Sequence, residues 1–365
     1  MKKIGIIGIG KLGLCFALNL EKAGFEVYGV DVSEEYVNNI NNKKINSPEP
    51  FVNEMLESSS RFFASTKTDF ILKNNITDVF VMVATPSLAD GTYNHSQIEK
   101  VTDELISFGI EQKPVNLYIG CTTMPGYCNL LAEKMKPFGY TVSYNPEFIA
   151  QGNIIHDQQY PDQVLIGDAD KETGDKLESI YRKMVKNNPV YCRMDSLSAE
   201  ITKLATNCFL TTKISFANSI GDLAIKSGAD YEKIIQAIGA DSRIGKKYLN
   251  YGFGFGGPCF PRDNRALDAF AKKQDYPLLI SEATDEVNKK HLEFQVQRYL
   301  EKYAINEPIE FDYVSYKKGS VIIEESQQLA LAVKLAKAGR KVIVNDREEV
   351  KEEVEKKYPG LFEFP

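Results

Sequence analysis

The 365 residues amount to about two and a half domains of ~150 residues each, which excludes a small stapled module. Hydrophobic residues make up 43% and charged residues 26%, outside the low-hydrophobicity regime of disordered chains, so sizeable cores can form. Lys and Arg total 44 against 50 Asp and Glu, a formal charge of -6, which gives no bulk electrostatic reason to bind nucleic acid or an anionic membrane.

The first 31 residues alternate between strand and helix signals: KKIGIIG is an apolar run, LGLCFALNLEKAG has a helical period ending at Gly24, and FEVYGVD is a second strand. That is one βαβ unit. The opening segment imitates a secretion signal, but Lys11 interrupts its apolar stretch and no small-residue cleavage site follows. Further β-rich runs follow at TDVFVMVAT, PVNLYIGC and GYTVSYN, with SQIEKVTDELISFG among the helical stretches separating them, so a parallel sheet with crossover helices is the economical fold. QVLIGD and NPVYCR add strands near 165 and 190. From Asp195 to about Ser227 apolar residues keep helical spacing without a proline, longer than a typical globular helix and able to join two domains or form a dimer seam. YEKIIQAIGA and further helices continue to about Tyr303. IEFDYVS, QQLALAVKLAKAG and KVIVND then restart β/α alternation, and REEVKEEVEKK reads as a solvated helix face. The expected fold is α/β, with a Rossmann-type domain over 1–195, an all-helical central domain over 196–304 and a shortened α/β segment over 305–365. The six cysteines form no CxxC and read as reduced thiols, which places the protein in the cytoplasm.

Gly8-Ile9-Gly10-Lys11-Leu12-Gly13 is a GxGxxG that follows a strand, opens a helix and is answered by Asp31 at the end of the second strand. Such glycines let the backbone approach a pyrophosphate, which then sits on a helix N-terminus. Asp31 would accept from ribose hydroxyls and repel a 2′-phosphate, so NAD is favoured over NADP. Cys259 lies in GFGGPCFPRD, four positions before Asp263; the flanking glycines leave its sulfur accessible, and an inert loop thiol is the competing reading. A thiolate needs nearby positive charge. Lys203 is a candidate, and with Asn207 one turn later on the long helix it could donate to a developing oxyanion. A surface Lys and Asn is the alternative for that pair.

These runs, with Ala84-Thr85-Pro86, Thr122-Thr123-Met124-Pro125-Gly126, Asn145-Pro146-Glu147-Phe148 and Asp241-Ser242-Arg243-Ile244-Gly245, occur in the order found in nucleotide-sugar dehydrogenases. From residue 1 to about 290 the chain resembles the UDP-glucose/GDP-mannose dehydrogenase family. The resemblance implies an NAD-dependent, four-electron oxidation of a sugar C6 alcohol to a carboxylate. Cys259 would capture the aldehyde as a thiohemiacetal that becomes a thioester. Lys203 and Asn207 would stabilise oxyanions, Asp263 with Thr122 and a water would manage the alcohol proton, and Glu147 would assist the hydrolytic water. It further implies a cofactor site comprising Gly8, Gly10, Lys11, Leu12, Gly13, Asp31, Thr85, Pro86, Thr122 and Arg262. Substrate contacts would come from Phe148, Lys203, Asn207, Arg243, Tyr248 and Gly256, with Lys317 the one carry-over from the C-terminal segment. UDP-glucose is the leading substrate, no metal is expected, and a homodimer through the long helix is.

The sequence departs from the family pattern at Gln151, where a second Glu is frequent, and at Arg262, where Lys is usual. Val321, Ile322 and Glu324 replace an acidic pair and an arginine near the start of the C-terminal segment. Two alternatives stay open: a two-electron hydroxyacid dehydrogenase of the 6-phosphogluconate type, which leaves Cys259 unexplained, and an inactive NAD-binding regulatory protein.

Overall fold

The computed structural model of the protein describes residues 2–111 and 113–365 and divides into two compact units, Met1–Lys203 and Leu204–Pro365. The first unit is built on eight strands: β1 (Lys3–Ile7), β2 (Glu26–Val30), β3 (Phe62–Ser65), β4 (Asp78–Val81), β5 (Val115–Ile119), β6 (Tyr140–Tyr144), β7 (Gln163–Asp168) and β8 (Val190–Asp195). Its helices are α1 (Lys11–Lys22), α2 (Glu34–Asn41), α3 (Val52–Ser58), α4 (Asp69–Lys73), α5 (Ser96–Ser107), α6 (Tyr127–Met135), α7 (Ile154–Gln159) and α8 (Lys171–Met184). The strand order is β3-β2-β1-β4-β5-β6-β7-β8. With β1 flanked by β2 and β4, the chain reverses its direction of travel across the sheet there, and such switch points are where doubly wound sheets bind ligands.

The central strands are apolar runs because both faces of the sheet are covered. Their side chains alternate between two cores. Ile4 and Ile6 of β1, Phe80 of β4 and Tyr118 of β5 join the core containing α1, whereas Ile7, Val79, Val81, Leu117 and Ile119 join the core against α5 and α6. Helix α1 ends where Gly24 takes a φ of 96°.

Two features depart from the sequence reading. The sheet is not wholly parallel, since β6 pairs with β7 antiparallel through Tyr144 and Gly167, and β7 and β8 are parallel to each other. Strand β3, pairing with β2, was not anticipated because the FFAS segment is too short to show a period.

Helix α9 (Ser196–Lys226) is 31 residues long, as the apolar spacing predicts, and runs from the first unit into the second. The second unit continues with α10 (Tyr231–Ala240), α11 (Phe260–Lys273) and α12 (Leu279–Lys302). The C-terminal α/β segment follows, with β9 (Ile309–Phe311), α13 (Gln327–Lys337), β10 (Val342–Val344) and α14 (Glu348–Lys357). The two strands are parallel, and they share a core with α13, α12 and the buried Val350 and Val354 face of the charged helix α14. Among the described residues no helix is long and apolar enough to cross a membrane.

Candidate active site

In the first unit the glycine turn and the loop motifs follow the C-terminal ends of strands. Gly8 to Gly13 follow β1, Asp31 follows β2, Thr85 and Pro86 follow β4, Thr122 follows β5 and Glu147 follows β6. The three glycines serve different ends. Gly8 has a φ of 93°, and a Cβ there would lie 2.6 Å from the Met82 carbonyl oxygen. A Cβ on Gly13 would collide with the Gly8 carbonyl oxygen, so this glycine seats α1 against the turn. Around a Cβ on Gly10 nothing lies within 4 Å, which leaves open space before the N-terminus of α1. That space, with the first-turn N–H groups and the helix dipole, is the cradle a diphosphate needs. Leu12 packs into the α1 core, and the exposed Lys11 donates to Gln151 Oε1 at 3.3 Å. The half-buried Asp31 accepts from the Ser33 amide at 3.2 Å at the end of β2, the position that reads ribose hydroxyls in this fold.

Two neighbouring loops are joined by the buried Thr85 hydroxyl, which donates to the Thr122 carbonyl at 2.8 Å, and the Pro86 carbonyl accepts from the Asn94 amide at 2.8 Å. The Thr122–Gly126 loop has a further anchor that no motif signalled. Glu200 of α9, fully buried, accepts from Thr123 Oγ1 at 2.8 Å, the Gly126 amide at 2.6 Å and the Cys128 amide at 2.9 Å. Its carboxylate caps α6, where the helix dipole favours negative charge.

Glu147 lies half-buried after β6. Burial pushes it up to about 7, against the lowering pull of the Tyr181 hydrogen bond and the Lys203 ammonium. The Tyr181 hydroxyl is shared between Asn145 Oδ1 at 2.8 Å and Glu147 Oε1 at 3.1 Å. Lys203, 7% exposed, donates to the Glu147 carbonyl at 2.7 Å and lies 4.3 Å above the Phe148 ring. A cavity of about 20 Å³, enough for one water, is lined by Asn145, Glu147, Phe148 and Tyr181 among others. A carboxyl poised near neutrality beside a water-sized cavity suits general base chemistry.

The second unit carries the thiol. Cys259 is exposed and caps α11, whereas Cys15, Cys121, Cys128 and Cys208 are buried and Cys192 is intermediate; none of the six is in a disulfide. One turn on, the Asp263 amide donates to the Cys259 carbonyl at 2.8 Å. The buried Asp263 carboxylate accepts from Asn207 Nδ2 at 2.6 Å, and Arg262 Nε lies 3.7 Å from its other oxygen. The glycines before Cys259 are tightly packed: a Cβ on Gly256 would strike the Glu325 carbonyl, and one on Gly257, at φ 79°, would strike the Tyr316 ring. The remaining proposed substrate residues lie at the surface. Arg243 pairs with Asp241 at 2.6 Å, Tyr248 at φ 62° packs edge-on against Phe260 with ring centroids 5.9 Å apart, and Lys317 is exposed.

A doubly wound sheet with this glycine turn and acidic strand end defines a dinucleotide-binding protein of the Rossmann type. The chain belongs to the UDP-glucose/GDP-mannose dehydrogenase family: residues 2–185 match its NAD binding domain and residues 197–290 its central domain. Its cofactor is NAD, and it is a nucleotide-sugar dehydrogenase. It is 34% identical over 301 residues to a UDP-glucose 6-dehydrogenase of Rickettsia bellii, covering 81% of this chain and 68% of that one. It is 30% identical over 347 residues to a UDP-glucose 6-dehydrogenase of Bacillus subtilis, covering 91% and 77%. Among solved structures, a UDP-glucose dehydrogenase from Pyrobaculum islandicum superposes with a TM-score of 0.90 at 26% identity, covering 100% of this chain and 86% of that one.

Proposed function

We propose that the chain oxidises the C6 alcohol of UDP-glucose to the carboxylate of UDP-glucuronate through a covalent adduct on Cys259. The observation that carries this reading is an exposed thiol at the head of α11, one turn before a buried Asp263 that Asn207 holds by hydrogen bond. A dehydrogenase that stops at the carbonyl needs no thiol, whereas reaching the acid without releasing the aldehyde requires an acyl carrier. Bound NAD+ supplies a two-electron hydride acceptor, used twice per sugar.

The residues of this chain then have the following work. Asp263, with Thr122 and a water, takes the hydroxyl proton as C6 becomes an aldehyde. The Cys259 sulfur bonds to C6 and gives a thiohemiacetal, whose oxyanion the Lys203 ammonium and the Asn207 amide stabilise. Loss of the second hydride leaves a thioester. Water then attacks it, Glu147 accepts a proton from that water, and the C–S bond breaks to return the Cys259 thiolate. Gly8, Gly10 and Gly13 cradle the diphosphate, with Lys11, Leu12, Asp31, Thr85, Pro86, Thr122 and Arg262 as further cofactor contacts. Phe148, Arg243, Tyr248, Gly256 and Lys317 bind substrate. Six cysteines with no disulfide among them support a reducing, cytoplasmic setting.

The chain acts as a homodimer in this reading. Phe209, Phe216 and Leu223 of α9 are 64%, 48% and 61% exposed at a spacing of seven residues, an apolar stripe of the kind that pairs long helices.

The test is NADH formed per UDP-glucose consumed, with quenched turnover followed by mass spectrometry of the Cys259 peptide. Two NADH per sugar and an adduct on Cys259 are expected. One NADH per sugar would return the hydroxyacid-type reading, and a Cys259→Ala protein with normal rate would end the thioester mechanism.

A further inference from the structure

The segment Tyr251–Gly257, which leads the chain to Cys259, has no helix or strand of its own. Side chains of two helices hold its backbone instead. From α9, Asn218 accepts from the Gly252 amide at 3.0 Å and donates to the Phe253 carbonyl at 3.3 Å. From α12, Asn288 accepts from the Phe255 amide and donates to the Phe255 carbonyl, both at 2.9 Å, and Gln295 donates to the Gly252 carbonyl at 3.1 Å. His291 sits between Asn288 and Gln295 on the same face of α12. Its side chain is 1% exposed; Nδ1 lies 2.8 Å from Asp222 Oδ2 of α9, and Nε2 lies 2.6 Å from the Gly252 carbonyl oxygen.

A neutral imidazole offers one N–H and one lone pair. Here both nitrogens face acceptors. The Gly252 carbonyl can only accept, and the Asp222 carboxylate already receives the Tyr251 hydroxyl at 2.9 Å on its other oxygen. Only an imidazolium donates to both while leaving the carboxylate ionised, and the ion pair then compensates the burial of each charge. Among the described residues, the titratable and charged groups recorded against the pair are Tyr251 and, through it, Arg298, whose Nη1 donates to the Tyr251 hydroxyl at 3.3 Å. Burial and Asp222 hold the Tyr251 hydroxyl well above its ordinary range, so it remains a donor.

We propose that His291 is a positioning residue that, as a buried imidazolium paired with Asp222, clamps the Gly252 carbonyl and thereby fixes the loop that presents Cys259. The consequence for catalysis rests on the reading of Cys259 as nucleophile; the protonation state does not. A neutral His291 would release one of its two tethers.

Ring-15N spectra of the protein test the charge directly. The chain has three histidines, and His291→Gln assigns the resonance. Both His291 nitrogens are expected to carry a proton at neutral pH. His291→Gln and Asp222→Asn are expected to bind NAD with unchanged affinity, to lose about tenfold or more in kcat, and to alter the iodoacetamide labelling rate of Cys259 by a similar factor. A neutral tautomer at neutral pH overturns the proposal even where the variants fail to fold. So does a folded His291→Gln protein with wild-type kcat and labelling rate. Full activity in Cys259→Ser would remove the nucleophile reading while leaving the spectroscopic result to decide the clamp.

Discussion

The side-chain amide of Asn207 donates to the carboxylate of Asp263 at 2.6 Å, joining α9 to the first turn of α11. Both side chains are more than nine-tenths buried. Asn207 therefore holds this carboxylate, one turn after Cys259, without adding a charge to it. Asn207→Asp would place two carboxylates in contact, and in a low-dielectric site one must keep its proton. The repulsion is relieved when the pair takes up a proton, so the cost of the variant is smaller in acid. Urea unfolding should show a cost of about 3 kcal/mol at pH near 8 that shrinks toward pH 5. An equal loss at both pH values would contradict this account.

The proposed role of Glu147 as the hydrolytic base predicts a pH dependence for the reaction. With its carboxyl pushed up to about 7 by burial, the ionised base needed for thioester hydrolysis fills in as the pH passes neutrality. Turnover should rise through about pH 7 with the slope of one proton, and Glu147→Gln should abolish that rise and let the Cys259 acyl adduct accumulate. The stability effect runs the other way. A carboxyl with a raised folded pKa stabilises the fold fully below its unfolded value, and that contribution is lost as the pH rises through about 7. Thermal unfolding of Glu147→Gln should accordingly lose the wild-type decline between pH 5 and 8.

The glycine turn separates folding from cofactor binding. Gly10→Ala meets nothing within 4 Å in the protein, so its unfolding free energy should stay within about 0.5 kcal/mol of wild type. Its methyl would project into the diphosphate cradle, and NAD affinity measured by calorimetry should fall by about tenfold or more. Gly13→Ala drives a methyl into the Gly8 carbonyl and should destabilise the fold itself, by about 1 to 3 kcal/mol. If Gly10→Ala binds NAD as well as wild type, the diphosphate does not lie at this turn.

In the proposed dimer the exposed stripe of Phe209, Phe216 and Leu223 is the seam. Phe216→Glu puts a charge in the middle of that face, which should convert a dimer into a monomer in sedimentation velocity while far-ultraviolet dichroism is unchanged. A wild-type protein that sediments as a monomer at micromolar concentration would remove the dimer proposal.

Much of the first unit was legible because its signals are local. The period of the apolar runs marked β1, α1, β2, β4, β5 and β6, and the spacing of Gly8, Gly10, Gly13 and Asp31 marked the dinucleotide turn. The proline-free stretch after Asp195 marked α9 to within a residue at each end. The reversal of β7 against β6 was not legible, because QVLIGD has the same alternation read in either direction and periodicity carries no sense of travel. The short strand β3 escaped because its pairing with β2, rather than any pattern of its own, makes it a strand.

What the sequence by itself determined is the chemistry available: a glycine turn for NAD, a glycine-flanked thiol and an ordered set of nucleotide-sugar dehydrogenase motifs. Only the tertiary structure decided which groups hold those residues in place. Tyr181 reaches Glu147 across thirty-four residues of chain, Glu200 reaches the Gly126 amide across seventy-four, and His291 reaches Asp222 across sixty-nine. A lone Tyr, Glu or His carries no spacing signal for such a partner. Its role is set when folding buries it beside a group whose hydrogen bonds cannot otherwise be satisfied.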